Sequence, residues 1–155
     1  MKKNAFLILG MLSLSLTGQA ATSAELILKG LVAPVLEISL APEAIASNLD
    51  LSSQASNVKV ATLTETSNYH TGYKVKAKSS NGGKLVNVSD TNSFINYVLT
   101  YSGSTIPLST SPSQIYSTSN LKGTFTKEVK ISYNQPTSLS AGSYEDLVQF
   151  TIEAN

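Results

Sequence analysis

Tyr73-Lys74-Val75-Lys76-Ala77-Lys78 alternates strictly between apolar and charged side chains. Successive side chains of a pleated strand point to opposite faces. The stretch therefore predicts a half-buried strand, with Tyr73, Val75 and Ala77 inside and three lysines in water. The lysine row reads as an outward face kept soluble by charge, in preference to a binding stripe. The same period of two continues on both sides. Upstream, Val58 and Val60 are in phase and Leu63 is not, which implies a β-bulge. Leu36, Ile38 and Leu40 share one face of an earlier strand. Downstream, Asn81-Gly82-Gly83 signals a turn into Leu85-Val86-Asn87-Val88. Ile95, Tyr97, Leu99 and Tyr101 alternate next, and Ser102-Gly103-Ser104 turns the chain into Thr105-Ile106-Pro107-Leu108. Residues 109–122 read as an exposed connection with a short strand near Ile115. Phe125, Val129, Ile131 and Tyr133 mark the following strand, and residues 134–141 a loop. The final strand carries Tyr144, Val148, Phe150 and Ile152 on one side, with Glu145, Leu147, Gln149 and Thr151 on the other. No stretch has helical amphipathicity, although residues 42–47 allow one short turn. Many short strands separated by turns predict an all-β, antiparallel sandwich of the immunoglobulin type.

Composition agrees and narrows the function. Ser, Thr, Val, Ile and seven Tyr suit pleated sheets. Lys2 and Lys3, an apolar run over residues 5–16 and Gly18-Gln19-Ala20 have the form of a secretory signal over residues 1–20, cleaved after Ala20 or after Ala24. The apolar run is shorter than the about 20 residues a membrane-spanning helix needs, and no later stretch is apolar enough to span. After signal removal, residues 21–155 suit one domain able to bury roughly two-thirds of its unfolded surface. Losing Lys2 and Lys3 leaves nine lysines against ten acidic residues, a net charge of −1, with no arginine. That balance disfavours a nucleic-acid partner. There is no cysteine. An exported domain of this size then depends on its core or on a partner for stability, and thiolate metal sites and cysteine nucleophiles are excluded.

The segment Ala24-Glu25-Leu26-Ile27-Leu28-Lys29-Gly30-Leu31-Val32-Ala33-Pro34-Val35-Leu36-Glu37-Ile38-Ser39-Leu40 is strand-like throughout, yet Pro34 divides it. Proline has no N–H for a ladder, so two pieces are expected. This separates an N-terminal extension, residues 21–34, from a sandwich domain, residues 35–155. The major strands after Pro34 begin near Val35, Val58, Tyr73, Ile95, Phe125 and Tyr144. A seven-stranded sandwich needs one more long strand after Ile152. The count predicts a domain one strand short at its C-terminal end, with one strand in surplus before Pro34.

Residues able to do chemistry are few. His70 is the single histidine and sits in a turn, Asn68-Tyr69-His70-Thr71-Gly72, with neither a ligand spacing nor a partner motif. It reads as a solvated loop residue. Glu145 and Asp146 are adjacent on a strand and point to opposite faces, so they share no site. Asp146 faces inward and is expected to accept backbone or tyrosine hydrogen bonds. Asn81-Gly82-Gly83 lies between strands and opens no helix, so it is no phosphate cradle. Asn87-Val88-Ser89 matches a glycosylation sequon, a motif too short to weigh. No catalytic residue, metal site or cofactor is assigned, and an enzyme is unsupported.

Two segments resemble a family. Ala141-Gly142-Ser143-Tyr144-Glu145-Asp146-Leu147-Val148-Gln149-Phe150-Thr151-Ile152 resembles the closing strand of spore coat protein U-like and archaic chaperone–usher pilin domains, which close with a small-Gly-x-Tyr-x-Asp pattern and alternating Val/Thr. Leu26-x-Leu28-x-Gly30-x-Val32, followed by Pro34 and Val35, resembles the N-terminal extension and first strand of such pilins. Together they cover less than a quarter of the chain. The chain departs from many classical pilins in having no disulfide and no aromatic residue at its C-terminal end. The resemblance implies an immunoglobulin-like fold lacking its last strand. A periplasmic chaperone supplies that strand first, and the extension of a neighbouring subunit then replaces it at an outer-membrane usher. Leu26, Leu28 and Val32 would fill pockets, and Gly30 would pass where space is tight. Tyr144, Val148, Phe150 and Ile152 would line the accepting edge.

The sequence thus supports a structural subunit of a surface fibre, pilus-like, exported through the periplasm to the cell surface. Its partners would be copies of itself or other pilus subunits. The alternative is a self-contained exported β-sandwich binding module, for sugars by its Ser/Thr/Tyr-rich surface, in which residues 26–32 close their own domain's edge.

Overall fold

A computed structural model describes residues 23–155. The signal-like residues 1–20 lie outside the described residues. The chain divides into two units between Val32 and Ala33. Residues 23–32 have no regular secondary structure, and Leu26, Ile27, Leu28, Leu31 and Val32 are all exposed.

The unit Ala33–Asn155 is built from ten strands and one 3-10 turn. In chain order these are β1 (Leu36–Pro42), the turn Ala44–Ser47, β2 (Ala55–Ser67), β3 (Tyr73–Ser79), β4 (Lys84–Asn87), β5 (Phe94–Tyr101), β6 (Ser104–Ile106), β7 (Ser113–Thr118), β8 (Gly123–Tyr133), β9 (Tyr144–Glu145) and β10 (Val148–Ala154). The larger sheet runs β1-β2-β8-β5-β4-β9, with β6 also on β5, and the smaller runs β10-β3-β7. Every pairing is antiparallel. The fold is an all-β antiparallel sandwich, as the alternation predicts.

Local chemistry accounts for the elements. In β3, Tyr73, Val75, Ala77 and Ser79 are buried and the lysines between them are not. The phase slip before Leu63 is a true bulge, because the β2–β8 register shifts between Lys59 and Ala61. Ser102 and Gly103 both have positive φ, 51° and 85°, as a tight two-residue hairpin between β5 and β6 requires. The core between the sheets is Leu63, Val75, Ala77, Ile95, Leu99, Ile106, Val129 and Ile131 with Tyr73, Tyr97, Tyr101 and Tyr133.

Two expectations change. The strand near Ile115 is no mere interlude, because β7 pairs with β3 and forms one edge of the smaller sheet. The single final strand from Tyr144 to Ile152 is instead two strands in two sheets. Tyr144 lies in β9 and pairs with Asn87 of β4, whereas Val148, Phe150 and Ile152 lie in β10 on β3. The break at Asp146-Leu147 has a physical cause. The Asp146 carboxylate is held by groups from the other strands, and Leu147, 69% exposed, passes its carbonyl to Ser80 N–H at 2.9 Å.

Candidate strand-acceptor groove

β1 and β10 each have a ladder partner on one side only, among the described residues. Their other edges present unpaired N–H and C=O groups, a template for a further strand. The two strands approach one another without pairing, coming within 8 Å at Cα. A strand laid between them needs its flanking neighbours about 9.5 Å apart, twice the inter-strand spacing, so insertion must part them at the close points.

The side chains beneath this gap are incompletely covered. On β10, Val148, Phe150, Ile152 and Ala154 lie opposite Ser79, Ala77, Val75 and Tyr73 of β3. Those four β3 residues are 0–1% exposed, yet no residue of β10 is fully buried. On β1, Leu36 and Ile38 are half-buried and Leu40 is 47% exposed, although they stand opposite the buried Ser67, Glu65 and Leu63 of β2. An apolar row that faces a core and still meets water would gain about 1.5–3 kcal/mol for each large side chain if fully buried.

Both strands are nonetheless fixed at their ends. Asp146, just before β10, accepts from the Ser79 hydroxyl at 2.5 Å, the Tyr97 hydroxyl at 2.6 Å and Asn81 N–H at 3.0 Å. Burial, then the Asp146 hydrogen bond, push the Tyr97 hydroxyl far above its usual range, so it remains a donor. At the other end, Asn155 Nδ2 donates to the carbonyls of Thr118 and Thr71 at 2.6 and 3.1 Å. Outside, Glu153 lies 2.8 Å from Lys76 and 3.8 Å from Lys74. Its carboxyl is held below the usual range, first by the Lys76 hydrogen bond.

β1 begins at a clasp made by Asn68. The Asn68 carboxamide accepts from Val35 N–H at 2.8 Å and donates to the Ala33 carbonyl at 2.7 Å, spanning Pro34. Pro34 offers no N–H, and a side chain satisfies its neighbours where the ladder stops.

Each residue of the closing motif has a structural task. Gly142 has φ +146°, and a Cβ there would lie 2.8 Å from Asn87 Nδ2. Asn87 is 1% exposed; its carboxamide donates to the Ser140 and Ala141 carbonyls and accepts from Ser89 and Asp90 N–H. That occupied position leaves the sequon asparagine no free side chain. The Tyr144 hydroxyl bonds the Ser140 carbonyl at 2.7 Å and the Ser93 hydroxyl at 2.6 Å. Tyr144 thus anchors the approach to β10 from β9, away from Val148, Phe150 and Ile152, which lie along the open side of β10; Leu26, Leu28, Gly30 and Val32 belong to the other unit.

No family model and no curated protein matches this sequence. Among solved structures, the CooA pilin subunit from enterotoxigenic Escherichia coli is similar to part of the chain, with a TM-score of 0.41 and 22% identity. The match covers 60% of this chain and 66% of that one, just under two-thirds of its length.

Other places carry less chemistry. His70 is exposed in the turn after β2. Among the described residues, no three His, Cys, Asp or Glu side chains gather as a metal site, and no helix is long and apolar enough to cross a membrane. A cleft of about 1100 Å³ lies between residues 46–52 and 136–147, and no residue of β1 or β10 lines it. Sequence reading missed the clasps at Asn68, Asn87 and Asn155, whose carboxamides act across long separations in the chain. It also missed Glu65, although Glu65 is in phase with Leu63 on the inward face.

Proposed function

We propose that this chain is a non-enzymatic structural subunit of a surface fibre, joined to its neighbours by strand donation. Residues 26–32 of one copy fill the gap between β1 and β10 of the next. Leu26, Leu28 and Val32 cover the half-buried rows of Leu36, Ile38, Leu40, Val148, Phe150 and Ile152, and Gly30 passes the narrow point. The observation that carries this reading is the pair of open edges over an uncovered apolar row, in a chain whose own alternating apolar segment is exposed.

Length supports it. Residues 26–32 span about 23 Å when extended, matching about 23 Å for the seven residues of β10. Donation between copies is favoured over self-closure by the Asn68 clasp. To pair with its own β1 as a hairpin, the segment must turn at residues 33–35, where Asn68 already holds Ala33 and Val35. The self-contained module would need that hairpin. On the resemblance of the two terminal segments, the partners are other fibre subunits, with a periplasmic chaperone and an outer-membrane usher handling the open groove after export and before display at the surface.

The test is size analysis of the signal-free chain purified without a chaperone. Wild type is expected to form a ladder of polymers or to be of low stability. Leu28→Asp is expected to be exported normally and to stay unassembled, its donor affinity weakened about ten- to hundredfold by the loss of one buried leucine. A wild-type monomer that melts cooperatively, indistinguishable from Leu28→Asp, contradicts the proposal.

A further inference from the structure

Glu65 is 0% exposed, on the inward face of β2 near that strand's C-terminal end. One of its oxygens accepts from the Tyr73 hydroxyl at 2.7 Å, and the other has no partner among the described residues. Its position relates it to both open strands. Glu65 stands opposite Ile38 of β1, and Tyr73 of β3 stands opposite Ala154 of β10. The Glu65–Tyr73 bond therefore ties the larger sheet to the smaller one beneath one end of the gap. We propose, building on the groove reading above, that Glu65 is a proton-operated clasp: its protonated form holds the β1 and β10 ends of the gap together, and its ionised form favours the opened gap.

The surroundings set the sign. The inward residues of β1 (Leu36, Ile38, Leu40) and of β10 (Ile152, Ala154) bring no charge. From β8, Phe125 stands opposite Glu65, and Lys127 shares the inward row, opposite Leu63. Lys127 makes no ion pair with Glu65, and its Nζ sits 5.2 Å from the centre of the Tyr116 ring of β7. Tyr116 packs on Tyr73 and on Tyr101 of β5, whose buried hydroxyl also lacks a partner. The site is thus dry, with a single cation held off by an aromatic ring, and a bare carboxylate is disfavoured there. Burial raises the Glu65 carboxyl above its ordinary 4.5; the Tyr73 hydrogen bond and the Lys127 charge only partly oppose it. A carboxyl raised in the folded state contributes stability that is complete below its ordinary value and lost as pH rises through the raised one. Parting β1 from β10, as strand uptake requires, admits water to this end and favours the ionised form. Rising pH should therefore loosen the gap.

The experiment is hydrogen exchange at the β1 and β10 amides of the full signal-free chain carrying Leu28→Asp, in which no neighbour fills the gap, between about pH 4 and 9, corrected for the intrinsic pH dependence of exchange. With Glu65 in place, protection is expected to fall as pH rises through the raised Glu65 transition. With Glu65→Gln added, protection should be nearly flat. Lys127→Met, which leaves Glu65 and Tyr73 in place, should move the transition to higher pH. Equal slopes with and without Glu65→Gln, or a Lys127→Met transition that stays put or moves lower, overturn the clasp. A synthetic peptide of residues 23–32 separates this from the groove reading. If it protects β10 at some pH while the slopes are equal, only the clasp fails; if it protects β10 at no pH, the donor reading fails.

Discussion

At Asp146, one carboxylate collects two hydroxyls and a backbone N–H from β3, β5 and the turn between β3 and β4. Removing it leaves the buried Tyr97 hydroxyl without its acceptor. Asp146→Ala is expected to cost about 1–3 kcal/mol, read as a lower urea midpoint, and Tyr97→Phe in the same background should restore part of it. Gly142→Ala tests the neighbouring constraint. Its Cβ meets the fully engaged Asn87 carboxamide at a backbone angle suited to glycine, so about 1–3 kcal/mol of destabilisation is expected in the same measurement. Not all of this was legible in the sequence. The inward direction of Asp146 follows from parity, and with it the expectation of backbone or tyrosine donors, though not which tyrosine. Glu65 follows from the same parity, but a charged residue in a Thr-rich run draws no attention as a core position. The asparagine clasps are invisible because Asn68 reaches Ala33 and Asn87 reaches Ser140, and no local pattern encodes such distances.

At the scale of elements, alternation served best where a strand is covered on one face only. β3 and β5 match their patterns residue for residue, and the β2 bulge shows as a slipped phase. The split between β9 and β10 was hidden because both halves keep the same parity, so periodicity cannot report that Asp146 hands the chain from one sheet to the other. The uncovered state of β10 yields its own expectation. Phe150→Ala should cost less than the about 3–5 kcal/mol of a fully buried phenylalanine in the unassembled chain, and more once the gap is filled. Thermal melts of the variant, with and without the peptide of residues 23–32, compare the two. An equal cost in both states would mean that Phe150 is already fully packed and that β10 borders no open groove.

At the scale of the molecule, a sandwich without disulfides has left two adjacent edges unpaired and an apolar row half in water. Exposed edges of this kind invite uncontrolled pairing, and chains that keep them must have them covered. β7 and β9 end the same two sheets at their other sides, and what sets β1 and β10 apart is that they approach one another over the half-buried apolar rows. The central claim is that this gap takes residues 26–32 from another copy. The most direct measurement is thermal unfolding of the signal-free Leu28→Asp chain, which cannot donate well to itself, in rising concentrations of the synthetic peptide of residues 23–32. Tm is expected to climb with peptide concentration, as binding to the folded state alone requires, and a peptide carrying Leu28→Asp is expected to need about ten- to hundredfold more for the same rise. A Tm independent of the wild-type peptide, or raised equally by both peptides, would contradict the claim.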